Sequence, residues 1–171
     1  HGPKDFTELC MQAAEIMLMQ GKVAENKEEA RKMLEEVVAS GKAFETFKDM
    51  VKAQGGNVDM IENPELLPQS KFKTEIKSEE SGDVKVLHSE RLGVLAMQLG
   101  AGRETKEQDV NHAVGLELAC KRGDKVNKGD TICIVYHDEE LKPQWVDELY
   151  HAFELTNEEV APQPIIEKVL S

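Results

Sequence analysis

The spacing of apolar residues changes at Pro68, and this change limits the fold more than any other feature of the chain. Before it, Phe6, Leu9, Cys10, Ala13, Ile16 and Met17 recur at helical spacing, as do Ala30, Met33, Leu34, Val37 and Val38, then Ala43, Phe44, Phe47, Met50 and Val51. After it, Phe72, Thr74 and Ile76 alternate as in a half-buried strand, and so do Val84, Val86 and His88 beyond the turn Ser81-Gly82-Asp83. A helical half followed by a strand-rich half predicts an α/β (α+β) chain.

Local signals place the element ends. Asp5 with Glu8, and Asn26 with Glu29, have capping-box spacing. Gly21, Gly41 and the pair Gly55-Gly56 are positioned to end the three helices, Gly21 through the left-handed conformation. Pro64 and Pro68 bracket a linker. Ser89 is a cap for a short helix to Leu99, which runs into the glycine-rich bend Gly100-Ala101-Gly102-Arg103. Val114 to Leu118 and Ile132 to Tyr136 read as strands, and Pro143 starts a last helix through Trp145, Leu149 and Phe153. The methionines of the helical half sit at core-filling spacing.

Between those two strands lies "KRGDKVNKGDTI", residues 121–132. Each Gly-Asp pair supplies a residue tolerant of positive φ and an acceptor for backbone N–H groups, with Val126 free to point into a core. This is turn chemistry for a barrel-sandwich fold. Biotinyl and lipoyl carriers share it, but they need a lysine at an exposed hairpin tip, within Met-Lys-Met for biotin, and that tripeptide is absent. Lys125 and Lys128 lie in the turn itself.

Charge and composition narrow the function. The net charge of −12 repels nucleic acid and anionic lipid, so neither is an expected partner. Apolar runs reach about five residues, far short of the roughly 18 a membrane-spanning helix needs. No signal peptide opens the sequence, which reads as cytoplasmic. Cys10, Cys120 and Cys133 are unpaired in spacing and lie among apolar neighbours, as small hydrophobes do. The five histidines are scattered, and no metal site or cofactor is expected. "GAGRETKEQD" has two readings, an anion-binding nest with Arg103 or a chain reversal that needs small residues, and the second is favoured. His112 near Asp109 has the makings of a general base without a nucleophile beside it. No catalytic or substrate-binding residue is assigned.

The order of motifs then becomes recognisable. "GPKDFTEL", "EEARKMLEEVVASGKAFETFKDMVKAQGG", "ENPELLPQ", "SGDVKVLHSERLGVLAMQLGAGRETKEQDVNHAVG" and "KRGDKVNKGDTI" together resemble the C-terminal portion of bacterial pyrimidine-nucleoside phosphorylases and their thymidine phosphorylase relatives. The resemblance implies that residues 1–68 are the last helices of a large α/β domain and that 69–171 form a C-terminal α/β domain of barrel-sandwich character. It implies reversible phosphorolysis of uridine, thymidine or deoxyuridine to base and pentose 1-phosphate, with inorganic phosphate as co-substrate and a homodimeric full-length enzyme. The family's Lys-His-Ser, Thr-Gly-Gly and Ser-Gly-Arg-Gly-Leu segments do not occur here; His88-Ser89 follows leucine. The expectation is therefore a catalytically incomplete piece in which Arg103 and its loop approach the cleft. The other expectation is a stand-alone binding or adaptor domain.

Overall fold

The computed structural model describes residues 2–169. The chain divides into two compact units, one of His1–Pro64 with Pro164–Ser171, the other Glu65–Gln163.

The first unit is helical: α1 (Lys4–Gln20), α2 (Lys27–Ala39), α3 (Lys42–Ala53) and the single turn α4 (Asp59–Glu62). The helix α2 starts as its sequence predicts. The Asn26 side chain accepts the Glu29 N–H at 2.9 Å, while the Glu29 carboxylate accepts the Glu25 N–H at 2.8 Å. The start of α1 differs from expectation. Pro3 stands at the cap without a side-chain bond, and Asp5 accepts the neighbouring Phe6 N–H. Glu8 instead joins Glu15 in gripping Arg31 on α2. Arg31 donates Nη1 and Nη2 to the two Glu8 oxygens at 2.9 and 2.7 Å and Nε to Glu15, whose side chain is buried. Ala30, fully buried, lets α2 approach α1 closely.

The end of α1 is a second correction: Gly21 is right-handed helical and Lys22 takes the positive φ of 56°. Gly41 and Gly55 end their helices as expected, both with a φ of 77°, and the Gly56 N–H closes back on the Val51 carbonyl at 2.9 Å. Phe6, Met17, Val38, Phe44, Phe47 and Met50 leave much of their apolar surface exposed.

The second unit holds two three-stranded antiparallel sheets, and neither closes into a barrel. One is ordered β1 (Phe72–Lys77), β5 (Thr131–His137), β3 (Gly115–Leu118); the other is β4 (Lys125–Val126), β2 (Gly82–Leu87), β6 (Phe153–Thr156). Two helices, α5 (Ser89–Ala96) and α6 (Pro143–His151), complete it. β6 is unforeseen: Phe153 continues the helical spacing of Trp145 and Leu149, yet it leaves α6 and pairs with Leu87. Ile76, Cys133 and Val135 from the first sheet, Val84, Val126 and Phe153 from the second, and Leu92, Leu95, Trp145 and Leu149 from the helices form one buried cluster.

The Gly-Asp turns stitch the sheets together. Asp124 accepts the Lys121 N–H, and Asp130 accepts that of Asn127, at 2.9 and 2.8 Å. The first turn bonds to β2 through Gly123 N–H to Val84 carbonyl, and the second to the end of β1 through Ser78 N–H to Asp130 carbonyl. Val126 points into the core, as the sequence suggests. Gly123 is obligatory, with φ 90° and a Cβ position only 2.8 Å from the Pro162 Cα.

Candidate functional site

The main concavity of the second unit is an open groove of about 1060 Å³ beside α5, the following loop and the start of α6. Its geometry begins where α5 ends. A π-turn over Met97–Ala101 follows the helix, and Gly100 breaks it with φ 107°. Gly102 is extended, and its missing side chain leaves room for Met97, whose Cβ lies 3.1 Å from where a Cβ would stand. The chain-reversal reading of these glycines thus has a direct steric basis.

The loop is tied at its base. Asn111 donates its backbone N–H to the Gly100 carbonyl at 2.9 Å and its side-chain amide to Asp138 Oδ2 at 2.7 Å. Asp138 Oδ1 accepts the Lys71 N–H, also at 2.7 Å. That backbone donor, then the Asn111 amide, hold the Asp138 carboxyl below the usual carboxylate range. Beside it His137 is buried, with Nδ1 donating to the Glu139 carbonyl at 2.6 Å and Nε2 hydrogen-bonded to Thr74 Oγ1 at 2.8 Å. A ring nitrogen facing a carbonyl must carry the proton, which fixes this tautomer.

The electrostatics of the groove do not suit an anion. Glu90, Glu104, Asp109 and Glu148 line it against Arg91 and Lys142. Arg91 is taken by Glu148 at 2.9 Å, and the Lys142 ammonium sits 4.5 Å from the Trp145 ring centroid. With four carboxylates against two cations, and Arg91 already paired, the groove is net negative and repels phosphate. Arg103 is exposed and makes no ion pair among the described residues, and it does not line the groove. His112 has no hydrogen-bond partner among the described residues either, and Asp109 lies on the groove wall without one.

Other candidate residues are dispersed. Lys125 is exposed in β4, 3.9 Å from Asp83, and the Lys128 N–H donates to Ser81 Oγ at 2.8 Å. Cys120 and Cys133 are buried, and burial pushes their thiols up to about 11 and about 12. Cys10 is exposed, contrary to its apolar sequence neighbourhood. Among the described residues no three His, Cys, Asp or Glu side chains converge as a metal site would require, and no helix is long and apolar enough to cross a membrane.

Sequence comparison assigns the second unit. Residues 84–156, from within β2 to the last residue of β6, match the family described as the pyrimidine nucleoside phosphorylase C-terminal domain. The chain is 38% identical over 164 residues to the pyrimidine-nucleoside phosphorylase of Bacillus subtilis, covering 96% of this chain and 38% of that protein. It is 39% identical over 170 residues to that of Staphylococcus aureus strain USA300, covering 99% of this chain and 39% of that protein. The Geobacillus stearothermophilus pyrimidine-nucleoside phosphorylase is 38% identical over 169 residues, 98% of this chain and 39% of that protein. Residues 84–156 belong to the pyrimidine nucleoside phosphorylase C-terminal domain family, and the similarity to pyrimidine-nucleoside phosphorylases runs through nearly the whole chain. It spans about two-fifths of the length of these pyrimidine-nucleoside phosphorylases. The groove lies wholly within the matched segment.

Sequence reasoning missed the groove, because its lining comes from two separated stretches, within 90–109 and 142–148. The one available signal was Trp145, the single tryptophan, placed two residues after a helix-starting proline.

Proposed function

We propose that this chain is the C-terminal portion of an enzyme that catalyses reversible phosphorolysis of pyrimidine nucleosides, in which phosphate attacks C1′ as the bond to the base breaks. Residues 1–68 would be the last helices of its large α/β domain and 69–171 its C-terminal domain, of barrel-sandwich character. The observation that carries this reading is the 38–39% identity running through 96–99% of the chain.

In this reading the chain is scaffold and cleft wall. Phosphorolysis needs positioned cations and donors for phosphate, for the departing base and for an oxocarbenium-like sugar. The acidic groove, with four carboxylates against Arg91 and Lys142, is ill suited to supply them. The phosphate-gripping and base-gripping groups belong to the remaining portion of a cytoplasmic homodimer, with no cofactor besides the phosphate co-substrate. Arg103, uncommitted at the loop tip, is the group here best placed to reach a cleft formed with that portion.

The test is phosphorolysis of uridine and thymidine, followed by release of base. The purified chain is expected to show no turnover, and the chain joined to the N-terminal portion of a family member to show it. Turnover by the chain alone would refute the incompleteness, and inactivity of the joined protein on every pyrimidine nucleoside would refute the assignment.

A further inference from the structure

Two observations in the groove point to an occupant different from the phosphate and nucleoside of the reaction. The first is charge. The Glu90, Glu104 and Asp109 carboxylates make no hydrogen bond or ion pair among the described residues, whereas both lining cations are engaged, Arg91 by Glu148 and Lys142 by the Trp145 ring. The second is a donor without an acceptor. Trp145 is only 9% exposed and its indole N–H has no partner among the described residues, yet no enclosed side-chain polar atom among them is left unsatisfied. The indole N–H therefore opens to solvent, and the groove is the concavity that Trp145 lines.

An indole N–H can only donate, so it calls for a carbonyl or other acceptor. The free carboxylates call for cations, and Val94 and Met97 between them offer surface for aliphatic stems. Backbone carbonyl, ammonium or guanidinium, and methylene stem together describe a basic peptide. The acids stand on two walls and the donor on a third, a spread that an extended segment meets with several residues. We propose that this groove docks a lysine- and arginine-bearing peptide segment of a partner protein, with its cations on Glu90, Glu104 and Asp109 and a backbone carbonyl on Trp145.

The test uses the whole chain and the peptide acetyl-Ala-Lys-Ala-Arg-Ala-Lys-Ala-amide. Trp145 is the single tryptophan, so one indole N–H resonance reports the groove. That signal is expected to shift in a saturable manner. The pair Glu104→Gln with Asp109→Asn should weaken binding about threefold or more. The charge-matched pair Glu28→Gln with Glu35→Gln, on α2, should leave it within about twofold. Trp145→Phe keeps an aromatic ring without the donor and should weaken binding as well, read by fluorescence anisotropy of a labelled peptide; if it does not fold, the acid pairs decide. An unmoved indole signal, or equal weakening by both acid pairs, would overturn the proposal. So would dimerisation of the chain that the Glu104 and Asp109 substitutions abolish, which would give the groove to a second copy.

Discussion

The Asp138 carboxylate joins two distant stretches of chain, accepting the Asn111 side-chain amide on one oxygen and the Lys71 backbone N–H on the other, each at 2.7 Å. Because Asn111 also closes on the Gly100 carbonyl, this one side chain fixes the base of the loop beside the groove.

Asp138→Asn is accordingly expected to speed amide exchange across residues 100–113 while leaving β5 protected. The same effect should appear with pH. The folded Asp138 pKa lies below its unfolded value, near 4, so its contribution is full above that value and is lost as pH falls through the lower folded pKa. Hydrogen exchange followed by NMR measures both, and unchanged loop protection in the variant would contradict the anchoring role.

In the first unit, Arg31, then the Gln12 amide, hold Glu8 down to about 2 from an ordinary 4.5. The depressed value means stabilisation that is complete above 4.5 and disappears between there and about 2. A carboxyl NMR titration of Glu8 should give the low midpoint, and Arg31→Met should return it toward the ordinary range. A midpoint that stays near 2 without Arg31 would show the wrong partner has been named.

Leu149 is fully buried where α6 meets both sheets. Leu149→Ala should cost about 2–5 kcal/mol in denaturant unfolding of the second unit, and Leu149→Met less than about 1.5 kcal/mol. Near-equal midpoints for the two would mean that the site collapses around the smaller side chain.

Gly123 and Gly129 have nearly the same positive φ, 90° and 92°, but a Cβ at Gly129 meets nothing within 4 Å while one at Gly123 meets the Pro162 backbone. Gly129→Ala should therefore cost only the conformational strain, about 1–2 kcal/mol. Gly123→Ala should cost measurably more, and urea titration of the two variants isolates the steric part.

Thiol titration of the native chain should find one reactive cysteine, Cys10, and all three after denaturation. Burial keeps Cys120 and Cys133 protonated as well as covered. Two or more thiols reacting in the native state would indicate that the sheet core opens.

Much of this fold is legible in the sequence, and the parts that are not share a cause. The cap at Asn26, the helix ends at Gly41 and Gly55, the alternating strands and the inward Val126 are all local decisions, settled within a few residues. Glu8 looked like a capping partner of Asp5, but a guanidinium 23 residues away outcompetes one backbone N–H. Phe153 fits the spacing of α6, yet the open edge of β2 draws it into a strand. The groove depends on α5, its loop and α6 meeting in space, so the order of its acids along the chain does not point to it. Trp145 reads as part of the last helix, and it joins the core apart from a single polar atom.

The order of strands also bears on how the polypeptide is made. β1 waits for β5, and β2 cannot gain its second neighbour until Phe153–Thr156 exist. Such pairing across long separations makes assembly slow and cooperative. On the ribosome, then, the second unit must stay an unfinished and sticky chain until its last strand has emerged, and holding it soluble through that interval falls to the chaperones that attend nascent polypeptides.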